Sequence, residues 1–347
     1  MSVYVLGAGG VGTLIASSLS NALKVNFVVR NTAKLNNLAK TNNTFAIKRL
    51  YDNNKTIKYT INGAFPADKL PDSKIDFLLI CVKTFDTVKS LTPLLDKITS
   101  KTRILLVQNG MGVVDELYSK IWTNVDSRPT IYQGVISHGV WQSPENHDTY
   151  NYNHAGFGYL KICQVPRDLQ NITAKDTIEN DDVIRELVQS DLNVSTYSYE
   201  ELLVYQIQKL LVNCCMNSTT SIVNCINYKL ADLEETDALF TSIVSEGLNV
   251  LKTAYPVLKT SPLATELLSV EKEVKFVKHV GFTINSKNST SMRQDVLNLR
   301  NTEIDYINGH IVKKAWESGM TAPVNDTISK LLKIKLAVNR RTAQEKA

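Results

Sequence analysis

Val3-Tyr4-Val5-Leu6-Gly7-Ala8-Gly9-Gly10-Val11-Gly12 opens the chain and decides the reading of its fold. Val3 to Leu6 is a short β-favouring run that ends in glycines. Residues 13–23 have helical character and contain no proline, and Val25 to Val29 is a second apolar, β-branched run. Strand, glycine turn, helix and strand thus fit within about 30 residues, the length of a βαβ unit. In such a unit Gly7 permits the tight turn, Gly9 lets a pyrophosphate approach the backbone, and Gly12 lets the helix pack on the strand. The helix N-terminus offers free N–H groups and a positive dipole end to phosphates. The segment Gly7, Ala8, Gly9, Gly10, Val11 and Gly12 therefore reads as a dinucleotide site. A structural glycine turn in another α/β protein is the alternative.

Working outward, Asp76-Phe77-Leu78-Leu79-Ile80-Cys81-Val82 reads as a parallel strand buried on both faces, and Ile104-Leu105-Leu106-Val107 as another. Helical segments between them imply a doubly wound α/β domain. From Thr130 to Ile162 the pattern changes. Residues 130–136 and 158–162 look like strands joined by a polar loop through Pro144-Glu145-Asn146-His147-Asp148, which suggests mixed or antiparallel strands at the sheet edge. Residues 193–199 read as a last strand. Beyond them the chain is helix-rich, with long helices expected at 200–225, 233–254 and 302–318. The expected fold class is α/β, a Rossmann-type doubly wound domain over residues 1–199 followed by an all-α domain over residues 200–347.

The chain has 347 residues, 43% of them hydrophobic and 21% charged, which is an ordinary globular composition for two cored domains. A net charge of +5 suits a phosphorylated cofactor and an acidic substrate, and is too small to argue for nucleic acid. The basic stretch 333–346 reads as a solvated helix end. Cys81, Cys163, Cys214, Cys215 and Cys225 form no CxxC pair and no metal-ligand spacing, so reduced thiols and no metal are expected. His138 and His154 have no acid or cysteine at ligand spacing and read as structural or cleft-lining. No apolar run is long enough for a membrane span. No signal peptide is evident, and the expected location is cytoplasmic. Asn-x-Ser/Thr triplets such as Asn171-Ile172-Thr173 read as chance matches. The expected partners are small molecules, with the chain a monomer or homodimer.

The end of the second strand bears on which dinucleotide binds. A site for the unphosphorylated form places an acid there for the ribose 2′-hydroxyl. This chain has Val29-Arg30-Asn31-Thr32 with no adjacent acid, so Arg30 can meet a 2′-phosphate, with Lys34 assisting. A solvated strand-end charge is the alternative.

Three further segments are more specific. Val82-Lys83-Thr84 and Gln108-Asn109-Gly110-Met111-Gly112 follow strands, at the edge where α/β ligands bind. Lys209-Leu210-Leu211-Val212-Asn213-Cys214-Cys215-Met216-Asn217 extends on to Asn227. Asn288-Ser289-Thr290-Ser291-Met292-Arg293-Gln294-Asp295 runs on to Thr302-Glu303-Ile304-Asp305-Tyr306-Ile307-Asn308-Gly309. With the glycine turn, these segments resemble the ketopantoate reductase (2-dehydropantoate 2-reductase) family, in the same order over nearly the whole chain.

That resemblance implies a Rossmann domain and an all-α domain with the substrate between them, and NADPH-dependent reduction of ketopantoate to pantoate, a step toward pantothenate and coenzyme A. Lys209 matches the family's general-acid lysine, and Glu303 its second catalytic residue, which engages the substrate hydroxyl and the lysine network. Asn213, Asn217, Asn288 and Ser291 match positions around the substrate. Asn109 and Lys83 match positions near the nicotinamide, and Asn227 another site asparagine. The chain departs from the family's usual pattern at Ser218, where proline is common, and at Cys214-Cys215. A reductase of another 2-keto acid and a non-catalytic NADP(H)-binding protein are the rival readings; retention of both Lys209 and Glu303 argues against the second.

The spacing carries part of this independently. Lys209, Asn213 and Asn217 stand at i, i+4 and i+8 on one helix face, among Leu210, Leu211, Val212, Cys214, Cys215 and Met216. Polar groups on an apolar helix need partners, and a substrate cleft is one source. A thin solvent-facing stripe, or amides bonded within the core, is another. For Glu303 the ordinary alternative is an exposed carboxylate early in a helix.

Overall fold

The computed structural model describes every residue except 31, 170–171, 173–177, 179–180 and 347. Asn171 and Thr173 of the triplet at 171–173, and much of the polar stretch before residue 180, lie outside the described residues. The chain divides into two compact units: Met1–Gln108 with Val113–Leu202, and Asn109–Gly112 with Leu203–Ala347. The division thus falls at Leu202/Leu203, and the four residues Asn109–Gly112 go with the helical unit.

Among the described residues, the first unit is built on twelve strands: β1 (Ser2–Leu6), β2 (Lys24–Val28), β3 (Thr44–Arg49), β4 (Lys55–Thr60), β5 (Gly63–Phe65), β6 (Phe77–Ile80), β7 (Arg103–Leu106), β8 (Thr130–Ile136), β9 (Gly139–Trp141), β10 (Tyr152–Gly156), β11 (Leu160–Gln164) and β12 (Val194–Thr196). Its helices are α1 (Gly10–Leu19), α2 (Thr32–Lys40), α3 (Thr87–Leu91), α4 (Val113–Lys120) and α5 (Asp182–Gln189). The main sheet has the order β12-β11-β8-β7-β6-β1-β2-β5. Strands β5 through β8 in that order run parallel, and β11 turns antiparallel against β8. The order reverses beside β1, between β2 and β6, the switch point where such sheets bind ligands.

Alternation explains why these runs form buried parallel strands. On β1, Val3 and Val5 enter one core layer while Tyr4 and Leu6 enter the other. On β6, Phe77 and Leu79 divide from Leu78 and Ile80 in the same way. Both faces are covered, so the sequence has no polar alternation to show. The expected doubly wound sheet and the antiparallel addition at its edge are both present. The connection expected as a polar loop between the strands 130–136 and 158–162 instead carries β9 and β10. These pair with β3 and β4 in a second, four-stranded sheet of order β4-β3-β10-β9, which the sequence reading did not foresee.

A chain of hydrogen bonds closes the second sheet onto the segments flanking β8 and β12. The Gly158 N–H donates to His138 Nδ1 at 3.0 Å, so His138 Nε2 carries the proton and donates to the Leu192 carbonyl at 2.8 Å. His154 Nε2 lies 3.0 Å from the same Nδ1 and shares that acceptor with the Gly158 N–H, and His154 Nδ1 pairs with Tyr51 Oη at 3.2 Å. Every ring nitrogen is used in the neutral form, so added protons break bonds. Burial pushes His154 down to about 4, with His138 and Arg49 adding to the fall, and burial also lowers His138. Both histidines titrate lower in the folded chain than their unfolded value of about 6.5. Their stabilisation is therefore complete above about pH 6.5 and is lost as pH falls toward 4. We expect thermal stability to drop between pH 6.5 and 4.5 by roughly 2 kcal/mol from this pair. His154→Gln, which cannot take a proton, should lose stability at pH 7 but show a shallower acid slope. Equal slopes in parent and variant would place the acid sensitivity elsewhere.

The second unit holds α6 (Tyr199–Val212), α7 (Ser218–Val223), α8 (Glu234–Ala254), α9 (Pro262–Leu267), α10 (Val270–Lys278), α11 (Ser291–Leu297), α12 (Asn308–Glu317) and α13 (Pro323–Gln344), with the first residues of α6 still in the α/β unit. Two expected helices are corrected. The helix expected over 200–225 is interrupted by a π-helical segment, Asn213–Asn217. The helix expected over 302–318 begins only at Asn308; a 3-10 turn, Ile304–Tyr306, precedes it. The backbone there closes on itself through Tyr306 N–H to Glu303 O at 3.0 Å and bends at Ile307, whose φ/ψ of −111°/−101° no helix continues. Among the described residues, no helix is long and apolar enough to cross a membrane.

Candidate active site

β1 ends at Leu6, and Gly7 turns the chain with φ of +97°. A Cβ there would stand 2.4 Å from Val82 N and 2.6 Å from the Cys81 carbonyl carbon. Only glycine allows both that dihedral and that approach. Gly12 is equally crowded, its Cβ position 2.3 Å from Gly7 O. Gly9 is the opposite case: its backbone is extended and its Cβ position has nothing within 4 Å. α1 starts at the next residue with no side-chain cap, which leaves its first N–H groups to other acceptors. Crowding at Gly7 and Gly12, open space at Gly9 and an uncapped helix end fit a bound pyrophosphate. Ala8 and Val11 pack partly buried against the core behind the turn.

Arg30 stands just past β2 with its side chain 65% exposed, and its Nη2 lies 3.5 Å from Asp86 Oδ2. The sequence near Arg30 holds no acid; the fold brings this one from 56 positions away. An exposed pair at this distance contributes little, so Arg30 is available to a stronger anion. Asn31 lies outside the described residues. Lys34 lies with its ammonium 5.3 Å from the centre of the Tyr150 ring, and burial lowers its pKa against the opposing pull of Asp148. Lys83 precedes the 3-10 turn Thr84–Asp86 and closes it by accepting Asp86 N–H at 2.8 Å.

In the helical unit, Lys209 sits in the last turn of α6. Burial pushes its pKa down to about 8, and the carboxylate of Glu303 opposes the fall. Glu303 is 5% exposed and lies outside any helix, so it is not an exposed carboxylate near a helix start. Asn109 Nδ2 makes a long hydrogen bond of 3.5 Å to Glu303 Oε2. Lys209, Glu303 and Asn109 therefore form one cluster. Asn109 is held there by its neighbours. Gly110 has φ of +80° and its Cβ position lies 2.4 Å from Tyr306 O, while Met111 N–H donates to that same oxygen at 2.9 Å. Gly112 packs against His310, whose Nε2 pairs with Tyr255 Oη at 3.0 Å.

Asn213 and Asn217 bound the π segment and are partly exposed, while Cys214, Cys215 and Met216 between them are buried. An α-helix drifts forward by about 40° over four residues. The wider π turn takes that drift back. Lys209, Asn213 and Asn217 therefore stay on one face more closely than a regular helix would hold them.

Asn227 and Asn288 belong to a second polar cluster, and Ser291 opens α11. The Asn227 and Asn288 amides both bond Asn285, at 2.9 Å to its carbonyl and 2.8 Å to its Oδ1, and Asn227 N–H donates to Asn288 O at 3.1 Å. Asn288 and Ser291 are exposed; Asn227 is buried, with its Oδ1 unpaired. Thr290 caps α11 and shares a 2.8 Å hydrogen bond with Thr220, which ties the start of α11 to α7 just past Asn217. The sequence reading did not single out Asp86, Tyr306, His310 or Asn308. The last three lie in or beside the Thr302–Gly309 string, which was the only signal for them.

Two family models match the chain: one described as ketopantoate reductase PanE/ApbA over residues 3–167, and one described as its C terminal part over residues 201–336. A Schizosaccharomyces pombe protein named as a probable 2-dehydropantoate 2-reductase is 36% identical over 345 residues, covering 98% of this chain and 97% of its own length. The Saccharomyces cerevisiae 2-dehydropantoate 2-reductase is 34% identical over 368 residues, with 98% and 95% covered. Among solved structures, a D-mandelate dehydrogenase in a ternary complex with NADH and anilino(oxo)acetate superposes with a TM-score of 0.79 at 19% identity, covering 98% of this chain and all of that one. A Bacillus subtilis probable 2-dehydropantoate 2-reductase gives 0.71 at 23% identity, with 96% and 100% covered. At those identities the structural likeness speaks to the fold.

Proposed function

Since the chain belongs to the ketopantoate reductase family, we propose that it reduces 2-dehydropantoate to pantoate with NADPH. The observation that carries this reading is the cluster of Lys209, Glu303 and Asn109 in the helical unit. A protein that only bound the nucleotide has no use for a lysine beside a buried carboxylate. The α/β unit holds the cofactor, through Gly7–Gly12 at the pyrophosphate, Arg30 and Lys34 at the 2′-phosphate and Lys83 nearer the nicotinamide, while Asn109, which packs with the helical unit, belongs to the acid–base cluster.

When bound, NADPH supplies the hydride. Lys209 carries the proton that the carbonyl oxygen takes as charge builds there, and a pKa of about 8 leaves it mostly protonated at neutral pH yet ready to give the proton up. Glu303 orients the ammonium and the substrate hydroxyl. Asn213 and Asn217 line the same helix face, Asn227 belongs to the polar surround, and Asn288 and Ser291 bond the carboxylate end.

The test is oxidation of NADPH and of NADH by the purified protein over a panel of 2-keto acids that includes 2-dehydropantoate. Turnover on 2-dehydropantoate well above the rest supports the reading; preference for another 2-keto acid would give the same chemistry a different substrate, and no turnover on any would leave a nucleotide-binding protein. Cofactor choice has its own check. Arg30→Ala should weaken NADPH binding about 10–150-fold, roughly 1.5–3 kcal/mol, and leave NADH nearly unchanged. An equal loss for both, or tighter NADH binding by the parent, would sink the assignment.

A further inference from the structure

A π turn leaves a backbone carbonyl out of the regular helical ladder, and that carbonyl must be satisfied by something else. In the segment Asn213–Asn217, Cys214 O takes two side-chain donors. It accepts from the Ser218 hydroxyl, which the proline common at that place in the family could not supply, and from Asn308 Nδ2 at 3.3 Å. The second N–H of the same amide donates to Asn325 Oδ1 at 2.9 Å. Asn325 Nδ2 in turn donates to Glu246 Oε1 at 2.8 Å, and the Glu246 carboxylate also receives the N–H groups of Val324 and Asn325 that open α13. Asn308 and Asn325 are both wholly buried.

We propose that Asn308 is a positioning residue for the acid–base pair: its amide fastens the turn that carries Glu303 to the π segment that follows Lys209. The proposal rests on the acid–base reading of Lys209 and Glu303. Three features support it. Asn308 is the first residue of α12, one residue past the turn Ile304–Tyr306, so its anchor fixes where Glu303 stands. Cys214 is the second residue of the π segment, directly past the end of α6, so the same bond fixes the end of the helix that presents Lys209. The Asn308 Oδ1 is buried and makes no hydrogen bond among the described residues. An unpaired buried carbonyl is costly, and a residue kept at that cost is kept for its two donors.

Glu303 opposes the fall of Lys209, while Glu273 on α10 accepts from the adjacent Gln208 and acts on Cys215. Displacing Glu303 therefore removes the influence that holds Lys209 up against burial, and the alkaline limb of turnover moves to lower pH.

The experiment is the pH profile of 2-dehydropantoate reduction for the parent, Asn308→Ala and the milder Asn308→Ser, beside an NADPH titration of each. We expect Asn308→Ala to lower turnover about 10–100-fold, to shift the alkaline limb down by about half a unit or more, and to leave NADPH affinity within about threefold. Asn308→Ser, which keeps one donor, should lie between it and the parent. Full activity in both variants, or a loss of turnover with the limb unmoved, would overturn the positioning role. Failure of both variants to fold would overturn it too, by making Asn308 a folding residue. Lys209→Ala, assayed alongside, separates the two ideas: if it stays active, the acid–base reading fails whatever Asn308 does.

Discussion

Lys209→Ala should lower turnover on 2-dehydropantoate about 10²–10⁴-fold, roughly 3–5 kcal/mol of transition-state stabilisation. The lysine sits where burial alone would drive it toward neutrality and Glu303 restrains that fall. The balance near pH 8 is what a proton donor working at neutral pH requires. Reduction by the parent should therefore fall as pH rises through about 8, where Lys209 loses its proton, and the alanine variant should lack that limb. NADPH affinity should stay within about threefold, because the groups assigned to the nucleotide's phosphates all lie in the α/β unit. Lys209→Arg should not restore activity, since guanidinium is a far poorer proton donor. If the alanine variant keeps most of the parent's turnover, Lys209 is not the acid and the polar face of α6 is structural.

The second large effect separates two glycines that stand two residues apart. Gly9→Ala should fold as the parent does, within about 1 kcal/mol, because its backbone is extended and its Cβ would meet nothing. The methyl would nonetheless fill the space beside the uncapped start of α1, and nucleotide affinity should fall at least ~100-fold. Gly7→Ala should damage both properties. Its φ of +97° strains any L-residue, and the new carbon would press on the backbone of Cys81 and Val82. A stability loss of about 2–4 kcal/mol is expected, visible as a lower melting temperature without ligand. Thermal melts with and without NADPH read both properties at once. A Gly9 variant that binds normally would mean that the open space at the turn does not receive the pyrophosphate.

Much of this molecule is legible in its sequence because its signals are local. The turn Gly7–Gly12, the doubly buried β1 and β6 and the helix carrying Lys209 each declare themselves within a dozen residues. Elements that rest on distant partners were invisible. β3 and β4 make a sheet with β9 and β10, and no period in residues 44–60 announces a partner near residue 150. Arg30 looked free of acids because Asp86 comes from another loop. The π segment is invisible to a search for 3.6-residue periodicity, since its extra residue shifts the register without changing the composition. Thr302–Gly309 resembled the opening of a long helix, yet Glu303 is buried ahead of the helix because the chain turns at Ile304–Tyr306 before α12 begins. The cofactor turn and Arg30 were read from local pattern, the roles of Lys209, Glu303 and the asparagines from the resemblance, while the supports of Asn109 and Glu303, namely Tyr306, His310 and Asn308, emerged only from the coordinates.

Asn109–Gly112 gives this protein a particular order of events at the ribosome. These residues are made directly after β7, yet they pack with the helical unit, and Asn109 meets Glu303 across 194 positions of chain. At about 5–20 residues per second, that partner emerges some 10–40 s later. Until then the strands on either side can pair, but the loop between them has nowhere to settle. A nascent chain stalled before residue 300 would carry a largely formed sheet with Asn109 adrift. Cutting the gene between the two units would not yield a self-sufficient half, since each piece would keep a segment whose proper neighbours lie on the other.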